Sequence, residues 1–152
     1  MRCLLISTLL FISSCGYQLR QSPLISTKHP EILIKTDRQT ELKHQLSLVL
    51  SSSGVKLVES DQASQLVILK DSLVKKIQSV GANNQVQEFR LEYEVEFSFD
   101  GQSVESLYLE RDYSFDIQQI GGGQQEELNL RKQLVEDMAW ALIRKLNSKI
   151  IN

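Results

Sequence analysis

The sequence predicts an α+β domain: a four-stranded mixed sheet with two helices packed on one face, behind a short apolar leader. Three observations carry that expectation. Residues 86–100 alternate apolar and charged with a period of two, the mark of a strand with one wet face. Leu42, Leu46, Val49 and Leu50 recur at helical spacing, and so do Leu128, Val135, Met138, Leu142 and Leu146. Both prolines, Pro23 and Pro30, fall before either pattern begins.

The leader comes first. Arg2 precedes Leu4, Leu5, Ile6, Leu9, Leu10, Phe11 and Ile12, the charged and apolar regions of a secretory signal. The run is too short for a bilayer core, which needs ~20 residues. Ser13 and Ser14 then lead to Cys15 and Gly16. This order resembles the lipobox of bacterial lipoproteins, and the resemblance implies cleavage before Cys15 and lipidation of its sulfur and amino end. One fatty chain anchors only marginally at ~0.8 kcal/mol per buried methylene, so several chains on Cys15 would make attachment permanent. In that pattern Asp after the cysteine retains the chain in the inner membrane, so Gly16 implies the outer one. Residues 1–14 are thus expected to be a lipoprotein signal, 15–30 a lipidated N-terminus and tether, and 31–152 a single domain. Cys3 would leave with the signal and Cys15 be acylated, so no disulfide is expected.

Apolar residues at 41% and charged ones at 24% are a globular balance, and 152 residues allow one domain with a modest core. The net charge of −2, with no basic run, gives a nucleic-acid partner no support, and none is expected.

Proline breaks helices and cannot donate to a ladder, so residues up to Pro30 are expected to be irregular, with regular structure after them. Ile32, Leu33 and Ile34 predict a first strand. Thr36, with Gln39 three residues on, offers a capping box for the first helix, and Gly54 a C′ stop. Strand, helix and following strand predict a parallel crossover unit. Leu66 to Leu69 read as a central strand apolar on both sides, and Leu73, Lys75 and Ile77 then alternate with Val74 and Lys76. Asn83 and Asn84 mark a turn.

Phe89, Leu91, Tyr93, Val95, Phe97 and Phe99 form the apolar face of the next strand, against Glu88, Arg90, Glu92, Glu94, Glu96 and Ser98. Asp100-Gly101 predicts a hairpin. A two-residue loop would oppose Tyr93 and Tyr108 and mismatch the faces, so a three-residue loop of Phe99, Asp100 and Gly101 is expected. That register sets Leu91 opposite Leu109 and Arg90 opposite Glu110. After Gly121–Gly123 a helix is expected from Gln125 to about Asn147, with Glu126 and Glu127 at its start and Arg144 and Lys145 at its end, all favourable to its dipole. Trp140 lies off its apolar stripe.

Catalytic signals are weak. His29 falls in the tether and His44 on the polar side of its helix, so neither is oriented for a nucleophilic triad or a zinc site. The glutamates of residues 88–96 read as a solvated face rather than a raised-pKa acid. The three glycines lack the Lys and Ser/Thr of a phosphate loop. The expectation is no enzyme, no metal and no cofactor.

Cys15-Gly16-Tyr17-Gln18-Leu19-Arg20, the order of elements, and the closing Ala141-Leu142-Ile143-Arg144-Lys145-Leu146 resemble the lipopolysaccharide-assembly lipoprotein family LptE (RlpB). Arg111, Tyr113, Phe115 and Asp116 look like that family's basic-aromatic stretch. The resemblance implies a plug inside the LptD-type outer-membrane β-barrel, one that assists barrel assembly and helps place lipopolysaccharide in the outer leaflet. The domain would be anchored to the outer membrane through Cys15. Lipid A is a phosphorylated amphiphile, so its contacts need cations beside apolar surface; Lys75, Lys76, Arg90 and Arg111 are the candidates. Arg90 could equally be satisfied by Glu110, and the lysines could be strand-edge charges. No Lys or Arg occurs between Asp112 and Leu130, so the loop before the last helix offers phosphate no cation. The alternatives are an auxiliary lipoprotein module of a different envelope complex, and a lipid-anchored hydrolase with a pocket.

Overall fold

A computed structural model describes residues 24–81, 86–114 and 122–151. The leader, Cys15, the Asn83-Asn84 turn and Phe115 to Gly121 lie outside the described residues. The elements run α1 (Leu24–Lys28), β1 (Glu31–Thr36), α2 (Glu41–Ser52), β2 (Lys56–Leu57), β3 (Ser64–Val80), β4 (Val86–Phe99), β5 (Glu105–Ser114) and α3 (Gly122–Ile151). They build one mixed sheet in the order β2-β1-β3-β4-β5, parallel on both sides of β1 and antiparallel from β3 onward. The α+β class and the covered face are as expected, but the sheet has five strands, not four. Two residues after α2, Lys56 and Leu57, pair beside Glu31 and Ile32 and add the edge strand.

Regular structure also begins earlier than Pro30. Ile25 on α1 is fully buried in the core, and His29 donates or accepts a 2.7 Å hydrogen bond with Ser64 Oγ. The His29 ring also packs edge-on to Phe99, with centroids 4.8 Å apart. The buried Ile25 side chain, with the hydrogen bond and ring contact of His29 just beyond the helix, docks a five-residue helix that proline punctuation would leave loose.

The first long helix is capped four residues later than the sequence predicts. Thr40, not Thr36, is the N-cap, its hydroxyl accepting from Lys43 N at 3.3 Å. Thr36 instead accepts from Arg38 N across a short turn. At the other end Gly54 (φ +84°) sits at C′, where Val55 N donates to Leu50 O and Gly54 N to Ser51 O. This is a Schellman stop, as its position foretold. Leu42, Leu46, Val49 and Leu50 are buried.

β3 is where the two sheet halves are reconciled. Leu66 and Ile68 point into the core, opposite Phe99 and Phe97, yet beyond them Leu73, Lys75 and Ile77 share the core side with Tyr93, Leu91 and Phe89. An even series becomes an odd one because Leu69 is an extra residue between the pairs Ile68–Phe97 and Lys70–Glu96. The bulge leaves Leu69 53% exposed, so the run Leu66–Leu69 is not apolar on two buried sides as expected. It has one core face and one wet face.

The β4–β5 hairpin keeps the predicted parity but shifts by two residues. Asp100 (φ +49°) and Gly101 (φ +70°) form a two-residue turn closed by Gln102 N donating to Phe99 O. An unbroken ladder from that turn would set Phe97 opposite Val104. It faces Glu105, because one additional residue in the descending arm restores the match of faces. Leu91 therefore opposes Arg111, and Arg90 opposes Asp112, rather than Leu109 and Glu110. Asp100 further ties the turn to β3, accepting from Gln65 N at 2.7 Å and donating its own N–H to Gln65 O at 2.9 Å.

α3 begins at Gly122 and reaches Ile151, longer at both ends than the spacing predicts. Its seam is Leu134, Val135, Met138, Ala139, Leu142, Ile143 and Leu146, all buried, whereas Leu128 is 53% exposed and stands outside it. Trp140 is likewise exposed on the outer side. With the start at Gly122, Glu126 and Glu127 lie in the second turn.

Candidate ligand and partner surfaces

The four candidate cations sit at one level of the sheet, two on each face. Lys75 pairs with Leu91 and Leu91 with Arg111, a row on the helix side. Lys76 pairs with Arg90 and Arg90 with Asp112, the neighbouring row on the open side. Period-two alternation alone produces this split.

On the open face the sheet neutralises its own cations. Arg90 meets Asp112 through two parallel bonds, Nε to Oδ1 at 2.6 Å and Nη2 to Oδ2 at 2.8 Å, with Glu110 at 3.3 Å. Glu110 is thus a secondary partner; the register shift puts Asp112 in its place. The bonds from Arg90 hold the Asp112 carboxyl below its usual range, and the same pairing raises Arg90. Lys76 meets Glu92 at 2.7 Å, and Lys70 meets Glu94 at 2.7 Å. Across β3–β5 this face carries Glu88, Glu92, Glu94, Glu96, Glu110 and Asp112 against Lys70, Lys76 and Arg90. Acid exceeds base twofold, so the surface repels an anion that approaches it broadside.

On the helix side α3 supplies the counter-charges. Arg111 Nη2 reaches Asp137 at 3.0 Å. Lys75 Nζ lies 3.8 Å above the Phe89 ring and donates to Glu127 Oε2 at 2.6 Å. Glu127 accepts twice more, from Tyr113 OH at 2.6 Å and from Arg131 Nε at 2.9 Å. Burial pushes the Glu127 carboxyl up, but the three donors prevail and hold it at about 2. For Lys75, burial pulls down while the bonds to Glu127 and Tyr113 carry it above its ordinary value. Tyr113, which stacks on Phe89 with centroids 5.7 Å apart, is raised by burial and by the adjacent carboxylate.

Glu127 and Arg131 are not among the sequence candidates for ligand contact, and Tyr113 is singled out there only within the basic-aromatic stretch. The i,i+4 spacing of Glu127 and Arg131 is visible in the chain, but only the fold brings that pair onto Lys75. Phe115 and Asp116 of the basic-aromatic stretch lie outside the described residues.

Elsewhere, Glu105 accepts from Lys145 at 3.2 Å and from Lys149, ties that pin the C-terminal half of α3 to β5 and depress the Glu105 carboxyl. His44 is exposed on α2. Among the described residues, no three His, Cys, Asp or Glu side chains gather as a metal site, and no helix is long and apolar enough to cross a membrane. The clefts are open to solvent; one lies between Thr36–Thr40 and Ile68–Asp71, another between Leu33, Ser47 and Val58.

The model of the LptE lipopolysaccharide-assembly family matches residues 31–146. Solved structures share the fold. The rare lipoprotein B of Shewanella oneidensis is 24% identical with a TM-score of 0.69, over 80% of this chain and 97% of that one. A minor lipoprotein of Acinetobacter baumannii is 20% identical with a TM-score of 0.68, over 80% and 92%. Lipoprotein B of Nitrosomonas europaea is 22% identical with a TM-score of 0.69, over 79% and 83%. No curated protein is detectably similar in sequence. With the family model spanning most of its length, the chain belongs to the LptE family of lipopolysaccharide-assembly proteins.

Proposed function

We propose that the chain is a lipid-anchored, non-catalytic subunit of the lipopolysaccharide translocon, seated in an LptD-type outer-membrane barrel. Residues 1–14 direct export and are removed, Cys15 carries the acyl chains, and the residues that follow it link that anchor to α1, which already belongs to the domain. The observation that carries the reading is the family match over residues 31–146, on a fold in which, among the described residues, both long helices lie on one face of the sheet and the other face is polar. A polar, ion-paired sheet face suits the water-filled interior of a large barrel, where inward-facing residues are polar.

Lipopolysaccharide contact belongs to the helix side in this reading. Lys75 and Arg111 lie there beside Phe89 and Tyr113, whereas Lys76 and Arg90 stand within the surplus of acid on the open face. The test is recovery of the tagged chain from native outer membranes in mild detergent. A large β-barrel protein retained with it supports the assignment. Recovery of an acylated chain with no barrel protein overturns it and leaves an auxiliary lipoprotein of another complex. Mass spectrometry of the same sample reads the anchor: a bare Cys15 sulfur or an uncleaved leader removes the membrane part of the reading.

A further inference from the structure

Three donors from three separate elements converge on one carboxylate: Lys75 from β3, Tyr113 from β5 and Arg131 from α3, all within 2.6–2.9 Å of Glu127. Two cations and a hydroxyl around two oxygens are the coordination a phosphate group seeks. The cluster is reachable, with the side chains of Lys75, Glu127 and Arg131 31%, 20% and 34% exposed. It is also flanked by hydrocarbon: Ile77, opposite Phe89 in the ladder, is 58% exposed, and Leu128, next to Glu127, is 53% exposed.

We propose that Lys75, Tyr113 and Arg131 form an anion seat, filled by Glu127 in the free domain, which a phosphate-bearing amphiphile enters by displacing that carboxylate. The proposal rests on the lipopolysaccharide reading for its ligand class and adds a built-in competitor. The carboxylate and the phosphate claim the same donors, so apparent affinity is scaled down to the fraction of molecules whose seat is free. Displacement would also detach the second turn of α3 from β3 and β5, since Glu127 bonds to both strands. Ligand entry and loosening of the helix start are then one event. The C-terminal half of α3 stays fixed by Glu105.

The test is binding of the chain from residue 15 onward, with Cys15→Ser so that no acyl chain inserts by itself, to phosphatidylcholine vesicles doped with lipid A, with dephosphorylated lipid A and inorganic phosphate as separate arms. Glu127→Gln keeps the shape of the side chain and removes its charge. It should bind lipid A about tenfold tighter, the gain expected when an occupant filling roughly nine-tenths of the seats is withdrawn. Lys75→Met or Arg131→Met on that background should abolish the gain, and inorganic phosphate should compete. Equal binding by wild type and Glu127→Gln overturns the seat while leaving lipid contact elsewhere intact. An equal gain for dephosphorylated lipid A overturns the anion chemistry. Binding by neither protein overturns the seat together with direct lipid contact, while barrel co-purification reports on the translocon assignment independently. Hydrogen exchange of the wild type supplies a readout needing no variant. Lipid A should speed amide exchange in residues 124–133, and unchanged or slower exchange with lipid A bound contradicts displacement.

Discussion

The two faces of the β3–β5 sheet carry two candidate cations each and dispose of them differently. On the open face Lys76 and Arg90 are matched by carboxylates of the same sheet, locked by register. On the covered face Lys75 and Arg111 are matched by Glu127 and Asp137, both from α3. Counter-charges built into a ladder stay beside the cations they face, because the register fixes both backbones. Counter-charges on a helix can leave when a turn of that helix shifts. Net charge reinforces the contrast, because the open face is acidic and the covered cluster gathers its donors around one carboxylate. This contrast is what the proposed reading uses when it gives an anionic ligand to the helix side and a polar partner to the open side.

The largest expected effect tests whether α3 is an integral part of the fold or a detachable strap. Leu142 is fully buried in its seam, and Leu142→Ala should cost ~2–5 kcal/mol in chemical denaturation. A cost near zero would mean that the whole helix, not just its first turns, is loosely held. Next comes Glu127→Gln, which leaves Lys75, Tyr113 and Arg131 around a neutral amide and should destabilise by about 1–3 kcal/mol at neutral pH. The sign with pH is definite. The Glu127 carboxyl lies at about 2 in the folded chain against an ordinary 4.5, so its contribution is complete above pH 4.5. It is lost as pH falls from 4.5 toward 2. Unfolding curves of wild type and Glu127→Gln should therefore differ at pH 7 and converge near pH 2; a constant gap would show that the charge is not what stabilises the cluster.

Gly54→Ala sharpens a different part of the comparison, the α2 side of the covered face. A Cβ there would meet only Ser26, at 3.5 Å, so packing tolerates it and the cost is the left-handed backbone, ~1–2 kcal/mol. Thermal denaturation should register it as a modest drop. The smallest effect is expected on the open face. Asp112→Asn weakens an exposed pair while Glu110 remains near Arg90, and its melting temperature should match wild type within measurement error. A clear drop would make the open face structural rather than available to a partner.

Much of this was legible in the residues. The alternation of β4, the stripe and Gly54 stop of α2, and the main seam of α3 follow from period and cap chemistry that a linear reading captures. Two of the misplaced features share one cause, a dependence on a single residue of register. The bulge at Leu69 switches the inward series of β3, and the extra residue after Gly101 moves Arg90 from Glu110 to Asp112. Neither carries a glycine or proline to announce it. The edge strand Lys56–Leu57 is too short for any period, and Thr36 and Thr40 are equivalent caps until the fold selects between them. The cluster around Glu127 was half visible. Its lysine was singled out by charge beside an aromatic strand, but its partners come from 38 and 52–56 residues away, and only the packing of α3 assembles them.

The proposed function seats this domain inside a barrel, which puts its polar sheet face within reach of the polar residues lining the inside of the wall. A photoreactive residue in place of Tyr108, which stands 51% exposed on that face, tests it in intact cells of the native host. Illumination should join the chain to a large outer-membrane β-barrel protein. A lipidated, membrane-bound chain that yields no such adduct would contradict the account.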